Sequence, residues 1–231
     1  MQLTSSETSP RLSSASNRYA LLAWLCVAAA FVALAFVGAS AAETDPNVLY
    51  KYSFAANSTV IYAIFVSVTL LIARWFERPL EATGLTRFSW RWAAAAIGLI
   101  ILVLFLGVVL EPILHAGEKQ GLEPDVWRPD RAGAFALNAV VAATVVPFAE
   151  ELFFRGLGVR ALLPLGGTAA ILVTAAAFGL GHGILVALPI LIPFGLALGW
   201  VRLRSHSVWP GIVAHGLYNG SALLYVYFHL S

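Results

Sequence analysis

Charge is what this sequence has least of. Only 11% of its 231 residues are Asp, Glu, Lys or Arg, against 60% hydrophobic, and the mean hydropathy is +0.83. Soluble domains carry about 25% charged residues, so a chain this poor in polar surface cannot coat itself in water, and lipid must be its solvent. A formal net charge of +2 supplies no basic surface for nucleic acid. Cysteine is nearly absent too: Cys26 stands alone, which excludes an internal disulfide and any Cys-based metal site. Lying in an apolar run, it is expected to be a small buried hydrophobe. Strand-like alternation of any length and internal repeats are also missing.

What is present is a succession of uncharged stretches, each near the ~20 residues that cross a bilayer. We read them as Tyr19–Ala42, Tyr52–Ala73, Trp92–Leu110, Ala132–Ala149, Ala161–Gly181, Gly183–Val201 and Ser207–Phe228. The fourth is expected to continue as helix through its charged end to about Leu163. The expected fold is therefore all-α, a polytopic membrane helix bundle of about seven transmembrane helices. Residues 1–18, rich in Ser and Thr, are expected to be a disordered tail, 19–131 the N-terminal helices and loops, and 132–229 the functional core.

Basic residues orient the set. With a cytosolic N-terminus, the inside segments carry Arg11, Arg18, Arg74, Arg78, Arg87, Arg91, Arg155, Arg160, Arg202 and Arg204, leaving outside only Lys51, Lys119, Arg128 and Arg131. The longest outer loop adds Glu118, Glu123, Asp125 and Asp130. The stretch Gly38–Ala39–Ser40–Ala41 resembles a signal-peptidase site, but the apolar run before it exceeds the usual 7–15 residues, so the first span is read as retained.

Against this apolar background a few polar residues stand out, because an ionisable group at the centre of a span costs about 2.5–3.5 kcal/mol. Glu150 and Glu151 are adjacent, followed by Arg155. Glu151 and Arg155 are four apart, acid before base, and so face each other along a helix. Glu150 lies about 100° round the helix and has no cation near it in sequence. Neighbouring carboxylates repel each other, and one so placed can serve as general base. His182 closes Phe178-Gly-Leu-Gly-His182, with Phe178 one turn before it on the same face. His215 and Asn219 are again four apart. His115, His206 and His229 fall in loops or at the terminus and are assigned no chemistry.

Depth links the three groups. With a turn near Pro164–Gly166, Glu150 lies about 21 Å back along one helix and His182 about 24 Å forward along the next. From a turn near Ser205, Asn219 lies about 21 Å along the last helix, with His215 one turn below.

As a set, EELFFR at Glu150–Arg155, FGLGH at Phe178–His182 and HGLYN at His215–Asn219 resemble the EExxxR, FxxxH and HxxxN motifs of the CAAX protease and bacteriocin-processing (Abi) family, which includes the type II CAAX prenyl endopeptidases. The resemblance covers about Ala132 to Phe228. It implies an all-helical intramembrane peptidase of glutamate type, without a cofactor, acting on a membrane-embedded or membrane-associated peptide. It further implies Glu150 as general base, His182 as the residue that positions and activates water, and His215 with Asn219 as stabilisers of the oxyanion. Glu151, Arg155 and Phe178 would support them. A zinc site on Glu150, His182 and His215 is the metal alternative, although there is no HExxH. A non-catalytic scaffold, regulator or immunity protein of the same family and a proton-coupled transporter are the other classes such residues could serve. A transporter would show repeated halves, which are not found. The short Ala-rich chain is expected to sit in a bacterial plasma membrane.

Overall fold

The computed structural model describes residues 15–41, 45–116 and 124–230, and among them all regular structure is helical. In chain order come α1 (Ala15–Ala41), α2 (Tyr52–Ala73), the short α3 (Pro79–Ala82), α4 (Trp90–Leu114) and α5 (Ala132–Glu150). Helix α5 runs without interruption into a π-helical segment, Glu151–Gly158, and then into α6 (Val159–Leu162). The chain reverses at Gly166 and continues as α7 (Gly167–Leu180), α8 (Leu188–Ser205) and α9 (Trp209–Leu230).

Five helical stretches are long and apolar enough to cross a membrane: Ser16–Ser40, Tyr52–Ala73, Trp90–Leu114, Pro129–Leu165 and Leu185–Ser205. The chain is a polytopic integral membrane protein. Two expected spans differ from this set. Ala161–Gly181 is not one helix: Ala161–Leu165 finish the preceding helical run, and α7 has only 14 residues, about 21 Å of rise. Gly183–Val201 shifts toward its C-terminus, because Leu185–Ala187 form a single 3-10 turn before α8 begins. Helix α9 has the length, at 22 residues, but His215, Asn219, Ser221 and His229 dilute its hydropathy.

Further corrections concern the ends. Residues 15–18, expected in the tail, already belong to α1; residues 1–14 lie outside the described chain, as do Glu118, Lys119 and Glu123 of the longest loop. Cys26 is exposed on the outer face of α1 rather than buried.

The π segment is the hub. All eight of its residues are buried, and α1, α2, α5, α7 and α8 pack around it. Two glycines let neighbours come this close. A Cβ on Gly156 would collide with the carbonyl oxygen of Thr83, and one on Gly158 would sit 2.6 Å from the Trp24 indole. Trp24, fully buried, stacks on Phe153 at 5.6 Å and donates its indole N–H to the Phe153 carbonyl at 3.1 Å. That bond ties α1 to the main chain of the irregular helix. Phe31, Phe65, Phe153 and Phe154 complete an aromatic core on the same side. Elsewhere α5 is tied down by Asn138, whose amide donates to the carbonyls of Leu49, Lys51 and Ala134.

Candidate functional site

The two adjacent glutamates stand at the junction of α5 and the π segment, at 4% and 0% exposure. Their surroundings separate them. Glu151 Oε1 accepts from Arg155 Nη1 at 2.8 Å and from His215 Nδ1 at 3.1 Å. The Arg155 guanidinium is fully buried, lies 4.2 Å over the Phe178 ring, and leaves Nε and Nη2 without partners. Glu150 Oε1 accepts from the Tyr62 hydroxyl of α2 at 2.9 Å. Its Oε2 is buried with no hydrogen-bond partner and faces His215 Nε2 at 3.8 Å.

His215 therefore spans the pair: one ring nitrogen on Glu151, the other opposite Glu150. A carboxylate can only accept, so Nδ1 must carry the proton, and in the neutral ring Nε2 is left as a lone pair. The arrangement of carboxylate, imidazole and open nitrogen is the one that orients a histidine for proton transfer. Phe194 at 4.8 Å and Phe178 at 5.8 Å pack edge-on to the ring and hold its plane. With both carboxylates ionised and His215 neutral, two negative charges and one guanidinium leave the cluster at −1; protonating His215 would neutralise it.

His182 follows the last turn of α7. Its Nδ1 donates to the Phe178 carbonyl at 2.9 Å, which again leaves Nε2 open, and its ring lies 4.8 Å from the Phe178 ring. Phe178 thus touches both histidines and Arg155. Asn219, one turn beyond His215, donates its amide to the Ala142 carbonyl at 2.9 Å and so clips α9 to α5. The same two helices meet closely at Gly216, where a Cβ would lie 2.5 Å from the Ala143 carbonyl oxygen. Alongside them runs an apolar cleft of about 660 Å³ lined by Thr144, Phe148, Trp209, Val213 and Leu217 among others.

The structure joins Glu150, Glu151, Arg155 and His215 by direct contacts, with Phe178 against them. His182 sits across the Phe178 ring, and Asn219 bonds to main chain rather than to a member of the cluster. Among the described residues no three His, Cys, Asp or Glu side chains gather closely enough to hold a metal ion. Two contributors escaped sequence reasoning. Tyr62 is a phenol in an apolar helix, ordinary in composition, and its role exists only through a contact 88 residues away. Trp24 is equally silent in sequence.

No curated protein and no solved structure matches the chain significantly. Residues 132–221 match the family model described as type II CAAX prenyl endopeptidase Rce1-like, a protease family. That stretch holds Glu150, Glu151, Arg155, Phe178, His182, His215 and Asn219 together, and the match supports the resemblance of this part of the chain to the CAAX protease and bacteriocin-processing family.

Proposed function

We propose that this protein is an intramembrane endopeptidase that cleaves a membrane-embedded or membrane-associated peptide with a water molecule activated by Glu150. The observation that carries the reading is the unpartnered Glu150 Oε2, buried and facing His215 Nε2. A buried polar oxygen with nothing bonded to it is costly, and a water or substrate group between these two atoms would satisfy both.

In this reading Tyr62 holds Oε1, so Oε2 is the oxygen that accepts the proton. The water oxygen attacks the scissile carbonyl as its proton passes to Glu150, and that proton is then delivered to the leaving amine as the C–N bond breaks. For this step His215 takes up a second proton, at Nε2, in the form that neutralises the cluster; Glu151 supports that charge, and Nε2 then donates to the developing oxyanion. Asn219 has a second amide hydrogen beyond the one given to Ala142 and can add to this donor set. His182, with Nδ1 fixed and Nε2 open, is assigned to positioning the water. The apolar cleft between α5 and α9 suits the approach of a substrate from the bilayer. No cofactor takes part in these steps. The orientation that goes with this reading puts the N-terminus and the arginine-rich loops in the cytosol of a bacterium, across its plasma membrane.

The test is a comparison of membrane-protein termini in cells carrying the parent, Glu150→Gln or His215→Ala. A set of new termini present with the parent and lost in both variants is expected. Identical termini in all three, with normal protein levels, would remove the protease reading.

A further inference from the structure

Far from the glutamate cluster, basic side chains collect around one cavity. Of Lys51, Lys119, Arg128 and Arg131, the cations that the charge pattern puts outside, all but Lys119 line a recess of about 200 Å³, together with Asn47 and Tyr50. They come from two separate stretches of chain, just before α2 and just before α5. The 19 residues of α5, about 28 Å of rise, lie between this end and Glu150. The recess is held in shape by polar contacts. Tyr50, buried, donates its hydroxyl to the Val126 carbonyl at 3.0 Å, and the Asn138 amide donates to the carbonyls of Leu49 at 3.0 Å and Lys51 at 3.1 Å. The segments bearing Lys51 and Arg128 are thus fastened to each other and to α5.

These cations stand where helices disfavour them. Lys51 is the residue before α2 and Arg131 the residue before α5; neither helix has a side-chain cap or an acidic residue in its first turn. Positive charge at a helix N-terminus opposes the helix dipole. Lys51 pairs with Asp45, and Arg131 Nε faces Asp130 at 3.7 Å, while Arg128 makes no ion pair among the described residues. Three cations against two carboxylates, beside the positive ends of two helices, leave the recess electropositive. An anion in it would offset both the side-chain charge and the dipoles.

Depth indicates which anion. Trp127 packs edge-on against Tyr227 at 4.9 Å, Phe135 at 5.3 Å and Tyr50 at 6.1 Å, next to the exposed Val126. Clustered Trp and Tyr at the end of a helix bundle mark the level of the lipid headgroups. Guanidinium forks match phosphate oxygens, an ammonium adds a point charge, and basic pockets between transmembrane helices bind phosphorylated headgroups.

We propose that Lys51, Arg128 and Arg131 form a binding site for a phosphate group, supplied by the headgroup of an anionic lipid in the adjoining leaflet. Bound there, the phosphate links the start of α2 to the start of α5, the two helices whose Tyr62 and Glu150 meet in the candidate site.

The full-length protein in detergent provides the test, which needs no cleavage assay: thermal unfolding with phosphatidylglycerol, with phosphatidylcholine, and with inorganic phosphate against sodium chloride of equal ionic strength. Phosphatidylglycerol at saturation is expected to raise Tm by roughly 5 °C, and phosphatidylcholine, whose own cation competes with the site, to raise it far less. A rise with inorganic phosphate as well identifies the oxyanion alone as sufficient; a rise with the lipid alone identifies the headgroup as the source. Arg128→Gln removes a cation that holds no partner, so it should fold as the parent does and lose most of the rise; Arg131→Gln should lose it too. Asp45→Asn frees Lys51 and should bring the rise at a lower lipid concentration. Arg204→Gln, an exposed cation over Trp200 beyond the other end of α5, should keep the full rise. If Arg131→Gln does not fold, Arg128→Gln decides. No rise with phosphatidylglycerol or phosphate overturns the site, as does an equal rise with phosphatidylcholine, a full rise in Arg128→Gln or an equal loss in Arg204→Gln.

Discussion

Replacing each of the adjacent glutamates by glutamine should separate stability from chemistry. Glu151 anchors a fully buried Arg155 at 2.8 Å and the His215 ring at 3.1 Å through a single oxygen. Glu151→Gln leaves that guanidinium without its counter-charge, and breaking a buried pair costs about 3–5 kcal/mol. For a chain of this size that lowers Tm by roughly 10 °C. Turnover should fall as well, since His215 loses the charge that supports its protonated form. Glu150→Gln acts differently. The amide oxygen can still accept from Tyr62, the amide nitrogen faces the lone pair of His215, and the cluster loses its excess negative charge. Tm should equal or exceed that of the parent, while turnover falls about 10²–10⁴-fold with the general base gone. Differential scanning fluorimetry in detergent and single-turnover cleavage of a substrate found among the lost termini measure both quantities on the same samples. A stable Glu151→Gln variant without activity beside an unfolded Glu150→Gln variant would refute the assignment of the base.

Other consequences follow from particular contacts. Tyr62→Phe removes the one donor to Glu150 Oε1, a bond to a charged group worth about 1.5–3 kcal/mol, so turnover should fall about 10–100-fold with KM little changed; undiminished kcat would remove Tyr62 from the site. Trp24→Phe keeps the stacked ring but removes the indole hydrogen bond to the Phe153 carbonyl, and should lower stability by about 0.5–1.5 kcal/mol in thermal unfolding; an unchanged Tm would show that this bond adds nothing to stability. A reporter fused after Arg204 should be cytosolic and one inserted near Asp125 external; finding both on one side would cancel the orientation.

Several features were legible in the sequence because they are local. The long run from Ala132 into the charged segment reads as one helix since its apolar residues persist past Arg155, and the structure carries helix to Leu165. Glu151 with Arg155, and Phe178 with His182, are one turn apart and meet as spacing requires. What could not be read is nonlocal or depends on backbone detail. Residues four apart face each other in an α-helix and still meet in the π segment, so the pair gives no sign of the change in hydrogen bonding. Hydropathy alone joins Ala161 to Gly181, because Pro164, Gly166 and Gly167 interrupt the backbone without adding charge. His215 was paired in expectation with Asn219, its neighbour along the helix, whereas its carboxylate partners come from 64 and 65 residues away.

The residues with conspicuous chemistry all lie within 132–221, yet that segment does not satisfy its own polar atoms. Glu150 Oε1 takes its hydrogen bond from Tyr62 on α2, and the Phe153 carbonyl takes its own from Trp24 on α1. Both donors precede the segment that matches the family model. Losing Tyr62 would take away the donor to Glu150 Oε1, and losing Trp24 would untie α1 from the main chain of the π segment. The first two helices also fill the space around the π segment with Phe31 and Phe65, and Gly158 has no side chain because Trp24 occupies its place. Anchorage in a bilayer would require only that these helices be apolar. Bonding to the Glu150 carboxylate and to the irregular helix that carries it draws on Tyr62 and Trp24 at those positions, which makes α1 and α2 part of the geometry of the site.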